Sequence, residues 1–199
     1  MDLFSEEKTI LKLPNAELLY IENFYNQDRA NYYFNVLKKT IQWQQDDITI
    51  FGKTYKQPRL TALYADNNKP YSYSNITMQP NIFTSDLLDI KTNIEKEINH
   101  QFTSVLLNLY RDGNDSNGWH ADNEKELGKH PIIASVSFGE TRPFHFKHRQ
   151  LKGEKHKIDL HHGSLLIMKG EMQEHWLHQI AKTKKQIGER INLTFRTIK

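Results

Sequence analysis

Two amphipathic helical segments followed by a run of short alternating strands predict an α+β fold. The expected architecture is a double-sheet jelly-roll barrel, a double-stranded β-helix, buttressed by N-terminal helices. Three observations carry this. Apolar residues recur at the helical period in two stretches of the first half. From residue 103 the period shifts to two across seven or eight short segments. Gly, Asp and charged turns separate those segments, with no internal repeat, low-complexity linker or composition break, so 1–199 reads as one domain.

Element by element, Ala16–Ile21 reads as a strand and Gln27–Gln42 as an amphipathic helix with Asn26 as its N-cap. Ile48–Phe51 and Arg59–Tyr64 read as short strands around Gly52-Lys53-Thr54, and Asn67-Asn68-Lys69-Pro70 is turn chemistry. Thr84 or Ser85 opens a second helix, in which Leu87, Leu88, Ile90, Ile94 and Ile98 recur near the helical period. Ser104–Tyr110 then alternates, placing Asn108 and Tyr110 on one face. Ile132–Phe138, Arg142–Lys147, Lys155–Leu160, Ser164–Met168, His175–Ile180 and Arg190–Thr197 follow as strands. A barrel of this kind encloses a site between its sheets.

Composition narrows the function classes. The apolar fraction of 37% is low and the chain is rich in Asn, Gln and Lys, which fits a wet surface or a polar interior cavity; 11% aromatic residues argue against disorder. With no cysteine, disulfides, thiolate metal sites and cysteine nucleophiles are excluded. No stretch approaches the roughly 18 apolar residues of a membrane span. Met1-Asp-Leu-Phe-Ser-Glu-Glu lacks a basic start followed by an apolar run. The expectation is a monomeric, cytoplasmic protein (nuclear in a eukaryote) with no membrane partner. The net charge of +3 is concentrated. Arg142, Lys147, Arg149, Lys152, Lys155 and Lys157 fall close together with His145, His148 and His156 among them, and Lys182, Lys184 and Lys185 form a second cluster. Such clusters supply phosphate contacts or, alternatively, solvate a hairpin tip.

The chemistry-bearing residues lie in the second half. His120-Ala-Asp122 puts an imidazole and a carboxylate on one face of an extended segment. His178 completes a two-histidine, one-carboxylate set, with His175 as the rival third ligand. Three coordination positions stay open in such a set, which suits a non-haem Fe(II) centre that binds a cosubstrate and O₂. Downstream, Arg190-Ile-Asn192-Leu-Thr194-Phe-Arg196 alternates strictly, with Arg190, Asn192, Thr194 and Arg196 on one face and Ile191, Leu193 and Phe195 on the other. If the polar face meets solvent, this is an ordinary half-buried strand. If it lines a cavity, the arginines need an anion, since guanidinium forks pair bidentately with carboxylates. A dicarboxylate such as 2-oxoglutarate would satisfy Arg190 at one end and chelate a metal at the other.

From about Ile50 to the C-terminus the chain resembles the AlkB family of Fe(II)- and 2-oxoglutarate-dependent nucleic-acid dealkylases. The resemblance rests on Asn108-Leu-Tyr110, Trp119-His120-Ala-Asp122, Ile133-Ala-Ser-Val-Ser-Phe-Gly139, His162-Gly-Ser-Leu-Leu, Trp176-Leu-His178 and Arg190-x-Asn192-x-x-x-Arg196. Ile50-Phe51-Gly52, Pro58-Arg59 and Tyr71-Ser-Tyr73 are similar to the branch that repairs alkylated bases in duplex DNA.

The resemblance implies that His120, Asp122 and His178 bind Fe(II), the Trp-Leu-His context favouring His178 over His175. It implies that Arg190, helped by Tyr110, pairs with the distal carboxylate of 2-oxoglutarate. Asn108 and Asn192 would hold the cosubstrate, and Thr194 and Arg196 would complete the anion pocket. Tyr73 and His120 would sandwich a flipped base, with Tyr71 and Glu124 near its polar edge, Arg59 among the substrate contacts and Phe51 filling the gap in the stack. Residues 1–102 would form the N-terminal helices and nucleotide-recognition region, and 103–199 the jelly-roll core. Asn123 stands where that branch has a second acidic residue, a departure that bears on base preference rather than on the iron site.

The implied reaction is oxidative demethylation of bases such as 1-methyladenine and 3-methylcytosine in DNA, with RNA as a further substrate class. 2-Oxoglutarate and O₂ become succinate and CO₂, and the methyl carbon leaves as formaldehyde. A methyl on the Watson–Crick edge weakens pairing, so the damaged base flips at lower cost, and its cationic ring suits an aromatic sandwich near a carboxylate. Two other readings compete: a related oxygenase acting on RNA or on a protein side chain, and a non-catalytic nucleic-acid-binding barrel. Phe51 also reads as a strand-end core residue, and Tyr71 and Tyr73 as packing under the helices.

Overall fold

A computed structural model describes residues 8–50, 52–67, 71–73 and 76–198. The chain runs β1 (Lys8–Leu13), β2 (Ala16–Ile21), α1 (Gln27–Thr40), β3 (Asp47–Ile50), β4 (Lys53–Lys56), β5 (Leu60–Ala65), β6 (Tyr71–Tyr73), β7 (Ile76–Met78), β8 (Asn81–Ile82) and α2 (Ser85–Ile98). The second half runs β9 (Ser104–Tyr110), β10 (Asn117–His120), a 3₁₀ turn (Lys125–Leu127), β11 (Ile133–Gly139), β12 (Arg142–His148), β13 (Lys155–Leu160), β14 (Leu165–Gly170), α3 (Met172–His175), β15 (Trp176–Ile180) and β16 (Arg190–Arg196).

Two sheets form the double-stranded β-helix. The larger has the order β1-β2-β14-β11-β16-β9-β5-β8 and the smaller β10-β15-β12-β13, with β3-β4 and β6-β7 as separate hairpins. The larger sheet draws β1, β2, β5 and β8 from before residue 103, so the N-terminal segment contributes strands as well as helices.

Alternation along the central strands sets the layers. Ile191, Leu193 and Phe195 of β16 pack with Leu107, Leu109, Val136 and Phe138 against Tyr33 and Leu37 of α1 and Leu87, Ile90 and Ile94 of α2. The opposite face of the same sheet offers Leu18, Leu106, Tyr110 and Leu166 to Phe144, Phe146, Leu160 and Trp176 of the smaller sheet. Covered on both sides, β16 is buried at all seven positions. Its polar face is therefore interior, and the solvent-facing reading of that strand does not hold.

The helices begin where their caps dictate. The Asn26 side chain accepts from the Arg29 N–H at 2.9 Å and Thr84 Oγ1 accepts from the Leu87 N–H at 3.3 Å. Helix α1 stops at Thr40, two residues earlier than expected, because Ile41 is extended at φ −71°, ψ 137°. Gly163, at φ +80°, carries the β13–β14 turn against the entry of α1, and a Cβ there would lie 2.5 Å from the Tyr25 carbonyl oxygen. Strands β1, β4, β6, β7, β8 and β10 were not expected. β1 and β4 are exposed along most of their length and so lack the apolar half of an alternating pattern. His175, expected in a strand, instead ends the short helix α3, and β15 starts at Trp176.

Candidate metal centre and anion pocket

The two sheets meet around a small polar cleft of about 40 Å³, lined by His120, Asp122, His178, Arg190, Asn192 and Arg196. β10 pairs antiparallel with β15 so that His120 stands opposite His178, and their ring centroids lie 4.3 Å apart. The chain then leaves the ladder, and Asp122 follows on an irregular segment. One ligand atom from each of His120, Asp122 and His178 lies within 4.8 Å of the others. The rival His175 lies outside this cluster: it pairs with Glu171 at 3.2 Å and stacks on His148.

The protonation states suit a cation. Burial drives the His178 imidazole down to about 3, reinforced by His120, so it is neutral at physiological pH. Burial lowers His120 as well. Burial pushes Asp122 upward, but Arg196 and the two imidazoles outweigh it and hold the carboxyl at about 2. Two neutral imidazoles and a carboxylate are the forms a metal requires. His120 Nδ1 donates to the Gly118 carbonyl at 2.7 Å, which leaves Nε2 as the nitrogen with the lone pair, and Asn117 Nδ2 donates to it at 3.0 Å. His178 Nδ1 is buried with no hydrogen-bond partner among the described residues. The donor set and this unpartnered nitrogen fit a metal with open positions.

The anion pocket is built by β16 and its two neighbours. Register sets Arg190 opposite Tyr110, Asn192 opposite Asn108 and Thr194 opposite Leu106 on β9. Arg190 is 1% exposed, lies 5.3 Å from the Tyr110 ring centroid and donates through Nη2 to Ser137 Oγ at 2.9 Å. Its Nε and Nη1 are buried with no hydrogen-bond partner among the described residues. Burial lowers this guanidinium to about 10, so it still carries its charge. A buried cation with two unmatched donors facing a cleft is a receptor for a carboxylate. Asn192 is held by Ser135 Oγ at 2.8 Å and the Val136 carbonyl at 3.0 Å, and its Oδ1 accepts from Thr194 at 3.1 Å.

Several of the expected residues have buried partners of their own. Arg196 lies at the metal end: its Nη2 donates to Asp122 Oδ1 at 2.8 Å, so part of its charge answers a ligand carboxylate rather than a distal anion. Arg59, expected at the substrate, is buried behind Asn108. Its Nε donates to Asn108 Oδ1 at 2.7 Å and its Nη1 to the Ser116 carbonyl at 3.1 Å. Arg142 is withdrawn from the basic surface cluster into a cage of the Asp112, Asp115 and Ala181 carbonyls. His148 is also buried, its Nδ1 accepting from the Gln150 and Leu151 N–H groups at the hairpin tip.

Glu124 opens the 3₁₀ turn, half-buried and outside the cleft lining. Tyr71 and Tyr73 lie on the β6–β7 hairpin, where register pairs Tyr71 with Met78 and Tyr73 with Ile76. Phe51, Asn68, Lys69 and Pro70 fall outside the described residues.

Ser135, Ser137, Asn117 and Gln173 escaped the sequence reading. The two serines carried a signal, since Ile133–Gly139 alternates with both on the face that meets Asn192 and Thr194. Gln173 carried none. Its Oε1 accepts from the Asp122 N–H at 2.9 Å across 51 residues of chain.

Comparison with known proteins accords with this geometry. The family model of the 2OG-Fe(II) oxygenase superfamily matches residues 17–196. The alpha-ketoglutarate-dependent dioxygenase alkB homolog 3 of Bos taurus is 44% identical over 184 residues, covering 88% of this chain and 64% of its own. The DNA oxidative demethylase ALKBH2 of Homo sapiens is 34% identical over 184 residues, covering 87% of this chain and 70% of its own. The solved structure of OsALKBH1 superposes with a TM-score of 0.66 at 19% identity, covering 95% of this chain and all of that one, and supports the fold alone. The chain belongs to the AlkB family within the 2OG-Fe(II) oxygenase superfamily, and membership implies Fe(II), 2-oxoglutarate and O₂ as its cofactor and cosubstrates. It spans 64% of the length of the bovine alkB homolog 3.

Proposed function

We propose that this chain is an oxidative dealkylase of nucleic-acid bases, acting on DNA methylated at the Watson–Crick edge, such as 1-methyladenine or 3-methylcytosine. The observation that carries the reading is one cleft holding both the His120–Asp122–His178 cluster and a buried guanidinium, Arg190, two of whose donors have no hydrogen-bond partner among the described residues. DNA as the substrate rests on the relatives named as DNA oxidative demethylases and on the charge of the β12–β13 hairpin. Lys147, Arg149, Lys152 and Lys155 line one groove of about 450 Å³ beside Leu177. Lys147 also sits 4.2 Å above the ring of Trp119, the neighbour of His120. Such a groove suits a phosphate backbone. The reading places the protein in a compartment that contains DNA, the cytoplasm or the nucleus. Among the described residues no helix is long and apolar enough to cross a membrane.

In this reading His120, Asp122 and His178 hold Fe(II), which when bound supplies the activation of O₂. Arg190, supported by Tyr110 and Ser137, takes the distal carboxylate of 2-oxoglutarate and sets its approach. Asn108 and Asn192 line the cosubstrate's path, each with its amide fixed by a buried partner. Arg196 keeps Asp122 ionised. The balance is one methyl group, one 2-oxoglutarate and one O₂ giving a hydroxymethyl group, succinate and CO₂. The hydroxymethyl group on a ring nitrogen then collapses to the free base and formaldehyde.

The test is to supply Fe(II), 2-oxoglutarate and one 1-methyladenine lesion in duplex DNA, single-stranded DNA and RNA at a single salt concentration. Release of formaldehyde with restored adenine is expected, and from DNA faster than from RNA. Absence of turnover on every alkylated nucleic acid, with metal bound, rules the proposal out.

A further inference from the structure

We infer that Gln173 is a positioning residue for the metal carboxylate, setting the affinity of the cluster through the backbone of Asp122; this rests on the metal-centre reading above. The three ligands are not held alike. His120 and His178 sit opposite each other in a strand ladder, so backbone pairing places both rings. Asp122 lies beyond the end of β10, with no strand partner, and the chain next becomes regular only at the 3₁₀ turn starting at Lys125. Two side chains hold it instead: Arg196, which grips the carboxylate, and Gln173, which accepts the backbone N–H.

Gln173 is built for that contact. It is 2% exposed, and its Oε1 lies 2.9 Å from the Asp122 nitrogen. Among the described residues its Nε2 donates to the weak acceptor Met168 Sδ, at 3.6 Å. It belongs to α3, the single turn of helix that leads directly into β15 and hence to His178. The same short segment therefore fixes one ligand by strand pairing and another by a side-chain hydrogen bond. Without the Gln173 oxygen, the Asp122 N–H loses its acceptor in a dry environment, and the segment must shift to find another. Because the carboxylate rides on that segment, a shift moves a ligand oxygen relative to two fixed imidazoles. Loss of comparable partners behind metal ligands weakens metal binding by about 10- to 100-fold.

The experiment measures Mn(II) binding to the full chain by calorimetry, without 2-oxoglutarate or substrate, alongside thermal melts of the metal-free protein. Gln173→Met keeps the shape and removes the acceptor, and Gln173→Asn keeps the amide but withdraws it by one methylene. Both are expected to bind Mn(II) at least ~10-fold more weakly than wild type, in the range seen for such partners. Gln173→Glu returns an acceptor at the original reach and is expected to recover most of the affinity. Wild-type affinity in Gln173→Met or, should that variant not fold, in Gln173→Asn overturns the assignment. So does an equal loss in Gln173→Glu, which would mark Gln173 as packing alone. Asp122→Ala separates this from the parent reading: if it binds Mn(II) as wild type does, the metal centre itself is wrong and the assignment falls with it.

Discussion

Replacing Arg190 with methionine separates a ligand receptor from a structural arginine, because the two roles predict opposite balances of stability and binding. The guanidinium is almost fully buried, and burial lowers it from its ordinary value to about 10. At 1.36 kcal/mol per pH unit, this corresponds to roughly 3 kcal/mol working against the charged form in the ligand-free protein. Tyr110 already enters that value, and the hydrogen bond to Ser137 returns about 1.5–3 kcal/mol of it. The ligand-free fold should therefore tolerate Arg190→Met with a change within about 2 kcal/mol of either sign.

Cosubstrate binding should not tolerate it. Nε and Nη1 lack hydrogen-bond partners among the described residues, and two charge-assisted hydrogen bonds to a distal carboxylate at about 1.5–3 kcal/mol each, partly offset by water, imply at least a ~100-fold loss of 2-oxoglutarate affinity. Titration of 2-oxoglutarate into Mn(II)-loaded protein, paired with urea unfolding without ligand, measures both quantities. Retained affinity within about threefold, or destabilisation well above 2 kcal/mol without ligand, refutes the reasoning, since either places the arginine's partner within the protein.

Three other outcomes are expected. His178→Ala should abolish turnover and Mn(II) binding while His175→Ala leaves both measurable, because His175 pairs with Glu171 away from the cluster; the reverse pattern would exchange the two roles. In metal-free protein His178 stays neutral down to about 3, whereas the unfolded chain takes up that proton near 6.5. Its folded value is thus depressed, and the unfolded state binds one more proton between those limits. Stability then falls on acidification by about 1.4 kcal/mol per pH unit from this group; denaturation at pH 6.0, 5.25 and 4.5 should show that slope reduced in His178→Gln, and identical slopes would contradict it. Lys152→Ala with Lys155→Ala should weaken duplex binding irrespective of sequence and lower the log–log salt slope by roughly 2. An unchanged slope would remove the groove from the DNA path.

The barrel core was legible because alternation leaves a trace that a single chain can show. In β16 the apolar set Ile191, Leu193 and Phe195 and the polar set of Arg190, Asn192, Thr194 and Arg196 occupy opposite faces in the sequence and in the structure. The Asn26 cap was legible for the same local reason, since its side chain accepts an N–H three residues ahead, whereas Thr84 or Ser85 both read as the start of α2 and the structure makes Thr84 the cap. Strand β10 left no such trace, since Asn117-Gly118-Trp119-His120 pairs with an irregular register and buries little. Arg142 looked like one more cation of a basic run, and only the convergence of three backbone carbonyls makes it interior.

By itself the sequence determined the strand-rich fold, the same-face pairing of His120 with Asp122 and the polar face of Arg190, Asn192, Thr194 and Arg196, while leaving His175 and His178 as rivals and the setting of that face open. Those depend on residue type and on spacings of two, which hold wherever the strand lies. Tertiary structure decided which partner each charge serves. Arg196 answers Asp122 across 74 residues, Arg59 supports Asn108 across 49, and Arg190 keeps Nε and Nη1 buried without a hydrogen-bond partner among the described residues. Pairing between distant charges is set by sheet register and burial, and neither is encoded in any local pattern.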